Sequence, residues 1–575
     1  MDIRPLGDLA LLVNVSSEDN ERAVARVEQV TRALESARIP GVQELIPAIG
    51  SLGVMFRVDA RITEVQRLVE EVLAGLPSEA PALTGQEREI PVCYGGEFGP
   101  DLSKLAQHAG LAASQAIQAH SRAQYRVLAI GFAPGFPYLG GLPENLYYPR
   151  RATPRLRVAA GSVAIGGRHT GIYPLETPGG WQIIGRTPRP LFEARAPKPA
   201  WLQRGDRVRF RPVSRSEYDE LAGSMDEARR RALPQTEEPS GPPVIEVLRP
   251  GVQTTVQDLG RPGWQSQGVP VSGAVDTLAL VMANLIVDNP PDAAVLEWAR
   301  RGPVLRFLEE RVVAVAGVEP ESVPPRRPRL VRAGEVLDLT HAPRGMRGYL
   351  AISGGITVPM VLGSRSTCLA GQFGGFRGRA LRAEDTLPVG EPTLTHVGTG
   401  WFAGLEWVRA DPEVTIVRIV PGPQADRFAS WTWRVLTEST FHVRAESDRM
   451  GLRLDGASLT IEEAGEMISA PVAAGGIQVP PDGRPIVLLA DRQTLGGYPQ
   501  IAYVISADLP KLAQIRPQGR VRFQEVSLEE AEHTRLTQQR DLAVLRVGLE
   551  AKAKAAEKAA GAKVAAARPV EDGKA

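Results

Sequence analysis

One stretch of this chain is written twice, and that limits its fold more than any single motif. Residues 202–214 carry Gly205, then Val208-Arg209-Phe210, then Val213-Ser214. Residues 515–527 carry Gly519, then Val521-Arg522-Phe523, then Val526-Ser527. Upstream, residues 180–187 more faintly echo residues 483–492. Two related units are too few for a solenoid, so the expectation is a paired architecture, each half closing on a similar β unit with a cleft between them.

The punctuation inside both halves is that of a β protein. Among 575 residues there are 58 Gly and 48 Pro, and Gly-Gly and Pro-Gly pairs recur between short apolar runs. Such spacing marks short strands and tight turns. Helical periodicity is confined to residues 21–37, 62–76, 101–125 with a break near Gly110, 276–287 and the tail. Residues 9–13 and 51–58 read as strands. The predicted class is therefore mainly β with an α+β N-terminal part. The expected division is a small α+β domain over 1–85, a β domain over 86–225, a Pro-rich linker over 226–243, a second β half over 244–530 and a tail over 531–575. The tail's Ala/Lys-rich end predicts a frayed helix or disorder.

Charge and motifs remove several classes of function. Lys plus Arg total 67 and Asp plus Glu 66, so there is no electrostatic footprint for a nucleic acid. Cys93 and Cys368 are the two cysteines, too few for a disulfide framework and without a CxxC; both are expected as small packed residues in a reducing compartment. The N-terminus lacks the basic and apolar regions of a signal peptide, and no apolar run approaches the ~20 residues that span a bilayer. The expectation is a cytoplasmic chain with no membrane partner. There is no GxxxxGK[ST], GxSxG or HExxH, which leaves a P-loop, a serine nucleophile elbow and a metal site without sequence support.

Five stretches concentrate residues that can do chemistry. Residues 131–143 are too rich in Gly and Pro for a helix or central strand. They read either as a ligand-approaching loop through Phe132 and Gly135, or as a rigid turn that plugs a core with Phe132, Phe136 and Tyr138. Residues 161–187 gather Arg168, His169, Thr170, Glu176, Gly179, Gly180 and Trp181. A histidine can move protons and an arginine can fork a carboxylate or phosphate, although a lone surface His is otherwise bland. Asp276 precedes a helix as an orienting acid or as its N-cap; Asn284 falls on the same face, and Asn289 suits a C-terminal turn. Residues 446–451, with Arg449, read as a charged turn. Finally, Gln478 and the run Asp491-Arg492-Gln493-Thr494-Leu495-Gly496-Gly497-Tyr498 follow a buried-type strand. They are either a ligand-orienting set or an Asp–Arg pair that caps the strand.

At these stretches the chain resembles a known family. Residues 2–220 resemble the allophanate-hydrolase-subunit-1 type domain, the 5-oxoprolinase B-type half, through Gly50-Ser51-Leu52, residues 90–102, the Gly131 loop and residues 161–187. Residues 244–530 resemble the subunit-2 type domain, the C-type half, through Gln257-Asp258-Leu259-Gly260-Arg261, Gly273-Ala274-Val275-Asp276, Gly363-Ser364-Arg365-Ser366-Thr367, residues 447–451 and residues 477–499. The resemblance implies cyclophilin-like β-barrels in both halves. It implies an ATP-dependent 5-oxoprolinase component that binds ATP, with Mg2+, and 5-oxoproline. This component would activate the lactam by O-phosphorylation for ring opening to glutamate by a separate A subunit. Arg168, Arg365, Arg449 and Arg492 are then expected to meet charge, and Asp276 and Asp491 to orient. The alternatives within the family are a carboxyltransferase like that of urea carboxylase, and a binding-only protein like a sporulation kinase inhibitor. No Met is followed by Lys, so no biotin attachment site is expected in this chain. A homo-oligomer is a further partner expectation. Two residues depart from the family pattern: His169, where Gln is more usual, and Leu495, where a small or β-branched residue is.

Overall fold

Strict alternation along the second strand organises the first unit. The computed structural model describes residues 1–15, 19–232, 241–395, 397, 403, 413–462 and 467–566. Strands β1 (Asp2–Pro5), β2 (Ala10–Asn14), β3 (Val42–Pro47) and β4 (Ser51–Phe56) form an antiparallel sheet ordered β1-β2-β4-β3. Leu11 and Val13 of β2 pack, with Leu52 and Val54 of β4, under helices α1 (Asn20–Ala37) and α2 (Ile62–Ala74). Asp19 caps α1, accepting from the Glu21 amide at 2.8 Å. Ala10 and Leu12, with Ile46 and Met55, point the other way, because successive strand side chains face opposite sides. That second face is not solvated. It packs in one core with Tyr138 and Trp181 from one barrel and with Leu495 and Tyr503 from another. The small α+β unit is thus the floor on which two barrels meet.

The first barrel uses β5 (Glu87–Tyr94), β6 (Tyr125–Ile130), β7 (Pro137–Gly140), β9 (Ser162–Gly166), β10 (His169–Ile172), β12 (Gln182–Arg186) and β13 (Arg207–Pro212). It closes in the order β10-β7-β6-β13-β5-β12-β9, with β8 (Arg155–Val158) and β11 (Thr177–Gly179) paired outside it. Helices α3 (Leu102–His108) and α4 (Ala113–Arg122) break at Gly110, whose φ is +66°. A further helix, α5 (Arg215–Ala232), continues into the start of the expected linker; residues 233–240 lie outside the described residues.

A sandwich follows. Strands β14 (Pro243–Arg249), β17 (Val304–Phe307), β20 (Val336–Asp338) and β22 (Thr386–Pro388) make one sheet. The other contains β15 (Thr254–Gln257), β16 (Val295–Ala299), β18 (Arg311–Ala316), β19 (Arg329–Val331) and β21 (Arg347–Ile352). Leu296, Trp298, Val313, Val315, Leu350 and Ile352 fill the space between the sheets. Their neighbours Val295, Val312, Ala314, Tyr349 and Ala351 face outward and are covered by α6 (Thr277–Ile286).

The second barrel uses β23 (Thr415–Pro421), β24 (Thr440–Val443), β25 (Gly451–Asp455), β27 (Gly476–Gln478), β28 (Ile486–Leu488), β30 (Gln500–Val504) and β31 (Arg520–Glu525). It closes as β23-β30-β27-β28-β25-β24-β31, with β26 (Ala470–Pro471) and β29 (Leu495–Gly496) paired outside. Its helices are α7 (Thr432–Glu438) and α8 (Leu509–Ala513). Strand for strand this repeats the first barrel in chain order and neighbour order, ribbon included. In each, the last strand lies parallel to the first and antiparallel to the second. The repeated Val-Arg-Phe is that last strand, β13 in one barrel and β31 in the other.

The fainter echo is corrected by this topology. Residues 180–187 supply β12, which corresponds to β30, whereas residues 483–492 supply β28, which corresponds to β10. The true second repeat is Val158-Ala159-Ala160-Gly161 with Val472-Ala473-Ala474-Gly475, followed by Thr177-Pro178-Gly179-Gly180-Trp181 with Thr494-Leu495-Gly496-Gly497-Tyr498. Gly161 and Gly475 share a left-handed conformation, at φ +80° and +85°, which only glycine adopts without cost.

The chain ends on α9 (Leu528–Ala566), a helix through the Ala/Lys-rich residues for which composition favoured fraying; Ala, Lys and Glu are strong helix formers. Its first turns are anchored. Arg535, 1% exposed, meets Asp8 at 3.2 Å and donates to the carbonyls of Val58 and Ala60. Glu532 accepts from the Ile62 amide at the start of α2 at 2.7 Å.

Candidate functional site at the junction of the two barrels

The Gly131 loop is both things the sequence allowed. Phe132, Phe136, Tyr138, Tyr173 and Trp181 stack edge to face, with Phe136 5.2 Å from Tyr173 and 5.4 Å from Trp181 between ring centroids. That fills the end of the first barrel. The backbone of the same loop lies against the other half. A Cβ on Gly131 would fall 2.4 Å from Leu495 Cγ, and the Gly135 amide donates to Gln267 O at 2.8 Å. Leu495 occupies the space left by the bare Gly131 backbone.

Of the first-barrel candidates, Phe132, Gly135 and Trp181 lie at this seam, and the others meet residues of the first half. Gly179 lies against Tyr173, where a Cβ would be 2.3 Å from the hydroxyl, and Gly180 O accepts from the Arg151 amide at 2.7 Å. Thr170 points into the barrel, donating to Ala164 O at 3.0 Å beside His120. The guanidinium of Arg168 covers the Tyr147 ring at 5.9 Å. His169 is half-buried, and its Nε2 has no hydrogen-bond partner. Burial, then the nearby charges of Arg150 and Arg168, push its pKa down to about 4, so it is neutral at physiological pH. Arg150 was not among the sequence candidates. It lies over Trp181 at 5.8 Å, and a Cβ on Gly497 of the second barrel would come 3.7 Å from its Nη1. Ser469 reaches the Tyr138 hydroxyl at 3.5 Å across the same seam.

In the second half, Gln478 packs against Gly496, which lies on the same short run as Arg492 and Thr494. Gln478 is 2% exposed, Thr494 0% and Arg492 8%. Gln478 Nε2, Thr494 Oγ1 and Arg492 Nε all lack partners. A Cβ on Gly496 would fall 2.2 Å from Gln478 Nε2. Arg492 donates to Leu489 O at 3.4 Å and to Gln265 Oε1 at 3.1 Å. Gln265 Nε2 in turn donates to Glu44 at 2.8 Å, which ties the N-terminal unit to the site. Burial raises the pKa of Glu44 and lowers that of Arg492. Gly497 and Tyr498 lead out to solvent.

Asp491 belongs to a different network. Arg449, 4% exposed, grips its carboxylate at 2.8 and 3.2 Å, and also meets Glu297 and the carbonyl of Gly273. Arg347 donates to the same Glu297 oxygen at 3.3 Å. Burial alone would raise the Glu297 pKa, but Arg449 and Arg347 hold it below its ordinary value. Every nitrogen of the Arg449 guanidinium is engaged with Asp491, Glu297 or Gly273 O, which marks it as a structural pairing residue. Asp276 caps α6, accepting from the Ala279 amide at 2.9 Å and from Gln514 at 2.8 Å. Burial raises its pKa to about 6. Asn284 donates to Ala293 O and receives from Asn289, closing the turn after α6.

Arg365 sits apart, in the loop that wraps Asp258. Its amide and the Ser364 hydroxyl donate to the Asp258 carboxylate at 2.6 Å each. Two motifs far apart in sequence, residues 257–261 and 363–367, are thus one structural unit. Arg150, Gln265, Glu44, Glu297 and Arg347 escaped sequence reading because their neighbours are supplied by other segments. Only the repeated Thr-x-Gly-Gly-aromatic could have pointed to the seam.

Two barrels of one topology, joined at such a seam, define a carboxyltransferase-type domain pair. The model for carboxyltransferase subdomains C and D matches residues 1–202, and that for subdomains A and B matches residues 267–525. The B-type 5-oxoprolinase polypeptide of Bacillus subtilis (strain 168) is 40% identical over 227 residues, covering 38% of this chain and 94% of that protein. The C-type 5-oxoprolinase polypeptide of Escherichia coli (strain K12) is 37% identical over 305 residues, covering 52% and 96%. Urea amidolyase of Lachancea kluyveri is 32% identical over 333 residues, 53% of this chain but 18% of that protein. The crystal structure of TTHA0988 superposes with TM-score 0.76 and 34% identity over 91% of this chain and 100% of that one. The chain belongs to the carboxyltransferase-domain family, as a B-type 5-oxoprolinase half fused to a C-type half.

Proposed function

We propose that this chain is the substrate-activating component of an ATP-dependent 5-oxoprolinase, working in the cytoplasm with a separate A-type subunit. The observation that carries the reading is coverage. The B-type and C-type relatives are matched over 94% and 96% of their length, in one chain whose two barrels share a core. In this reading the lactam carbonyl oxygen of 5-oxoproline attacks the γ-phosphorus of ATP. The O–P bond forms, ADP leaves, and the ring carbon becomes a good electrophile. The A-type protein then completes opening of the C–N bond by water, giving glutamate and phosphate. A resonance-stabilised amide is a poor electrophile, so the barrier falls at this activation. Preformed donors at the seam are suited to the charge that develops there. A magnesium ion would arrive on the nucleotide; among the described residues no group of three His, Cys, Asp or Glu is placed to hold one.

The test is ADP and glutamate release by the purified chain with ATP and 5-oxoproline, with and without a candidate A-type protein. Glutamate formed only when both proteins and ATP are present supports the reading. No turnover with an A-type protein that is active with its own B-type and C-type partners sinks it. A second reading has a specific observation behind it: the similarity to urea amidolyase and the carboxyltransferase description of both family models. It predicts carboxyl transfer to a small amide from a biotin carrier supplied in trans, measured as labelled bicarbonate incorporation.

A further inference from the structure

Arg492 is buried, yet its guanidinium touches no carboxylate. Asp491, its neighbour in sequence, is held by Arg449, and Glu44 is held by Gln265 and the Gly263 amide. Its bonds are to two neutral oxygens, Leu489 O at 3.4 Å and Gln265 Oε1 at 3.1 Å, and its Nε has no partner. Glu44 and Asp491 act on it only through space, and a buried cation with no anion in contact is costly until one meets it. Two further polar groups on or against the same short run are also unspent: Thr494 Oγ1, two residues along the chain, and Gln478 Nε2, a donor. The Gln478 amide lies against the bare backbone of Gly496, where a Cβ would fall 2.2 Å away, and Gln493 Nε2 is 3.1 Å from the same point. The chain then leaves the barrel through Gly497 to Tyr498, 39% exposed. Arg150 of the first barrel stands at that exit, its Nη1 3.7 Å from the Gly497 β-position.

We propose that this end of the second barrel is the pocket for the carboxylate of the small amide substrate, with Arg492, Gln478 and Thr494 as its ligands and Arg150 at its mouth. The identity of that substrate as 5-oxoproline rests on the function proposed above. A carboxylate is chosen over a phosphate on geometry and charge: Arg492 is the one guanidinium inside the cradle, with Arg150 at its mouth and Glu44 behind Gln265, while a phosphate monoester brings about 1.5–2 negative charges. The planar pair of carboxylate oxygens also fits the guanidinium fork. The nucleotide's phosphates are therefore assigned outside this cradle. An amide without a carboxylate leaves Arg492 unmet.

Calorimetric titration of the full chain decides this, with 5-oxoproline, 2-pyrrolidinone, acetate and inorganic phosphate as probes. The expected result is 5-oxoproline binding at least about tenfold tighter than 2-pyrrolidinone, from the loss of one charge-assisted contact. Arg492→Gln weakens it by about tenfold or more. Thr494→Val and Gln478→Met, close in size to the native residues, each weaken it several-fold. Arg150→Gln, at an exposed position that keeps the variant folded, weakens binding and flattens its salt dependence. Equal 5-oxoproline affinity across the wild type, Thr494→Val, Gln478→Met and Arg150→Gln overturns the pocket while leaving the oxoprolinase reading standing. Acetate bound and lost in Arg492→Gln, with no binding of 5-oxoproline, keeps the pocket and removes that substrate. Phosphate that displaces 5-oxoproline, or no carboxylate bound at all, overturns the inference.

Discussion

Replacing Arg449 with Met should unfold the junction between sandwich and second barrel more readily than almost any other single change. Arg449 is 4% exposed and supplies two contacts to Asp491, one to Glu297 and one to Gly273 O. Methionine fills most of the volume but leaves two carboxylates facing each other in the interior. Removing one member of a buried ion pair costs about 3–5 kcal/mol. Here a single arginine serves two acids, so the expected loss at pH 7.5 lies at the top of that range. Its pH dependence is the sharper test. In the wild type Glu297 is held below its ordinary pKa, so its contribution is fully present above the unfolded value and is lost only as pH falls through the folded one. Without Arg449, burial of Glu297 is opposed mainly by Arg347, and its carboxyl takes up a proton more readily. The variant should therefore recover stability relative to the wild type between about pH 7.5 and 5. Urea midpoints of the two proteins across that range measure it. A loss under about 1 kcal/mol, or a gap that stays constant with pH, would falsify the assignment of Arg449 as the neutraliser of these acids.

Other changes probe the seam and the buried acids. Gly131→Ala places a methyl 2.4 Å from Leu495 Cγ and should cost about 1–3 kcal/mol by overpacking; adding Leu495→Ala should return part of that loss, read as a non-additive double-mutant cycle in urea. Asp276 has a folded pKa of about 6 against an ordinary 3.8, so the native state binds the proton first and stability falls as pH rises from 3.8 to 6. Asp276→Asn should keep the helix cap and abolish that slope, checked by urea titrations at pH 4 and 6.5. His169, at about 4 against 6.5, works in the opposite sense: the unfolded state binds the proton first, and stability is lost as pH falls through that window. His169→Gln should flatten that acid-side loss, on the order of 3 kcal/mol by linkage, in the same titrations.

Local signals were legible and long-range ones were not. The helix over residues 20–37 and the strand over residues 10–14 were readable because their apolar periods serve a single unit. So was the end strand of each barrel, since Val-Arg-Phe alternates one buried face with solvent in both copies. The pairing of residues 180–187 with 483–492 misled because β12 and β28 are both buried runs of similar composition, and a buried strand says little about its place in a barrel. At the site, Gln478, Arg492, Thr494 and Gly496 could be picked out because they interrupt apolar strands. Arg150 could not: it sits in an arginine-rich segment, residues 150–157, and only the fold separates it from Arg151 and Arg155, which Asp101 holds.

The seam also explains why joining the halves is structurally inexpensive. Its contacts are reciprocal: the first barrel supplies the Gly131 backbone to Leu495 and Arg150 to Gly497, while the second half supplies Gln267 O to Gly135. The N-terminal sheet then buries its second face against both barrels at once, and Arg535 fastens the last helix back to Asp8. Two separate polypeptides making these contacts must meet at their cellular concentrations. A covalent connection raises the effective concentration to about the millimolar range without any new contact. The shared core beneath the seam is kept whether or not the halves are joined, since the N-terminal sheet packs against both barrels. The polar cradle under Gly496 has no latitude, since each buried donor there is stable only if something completes it.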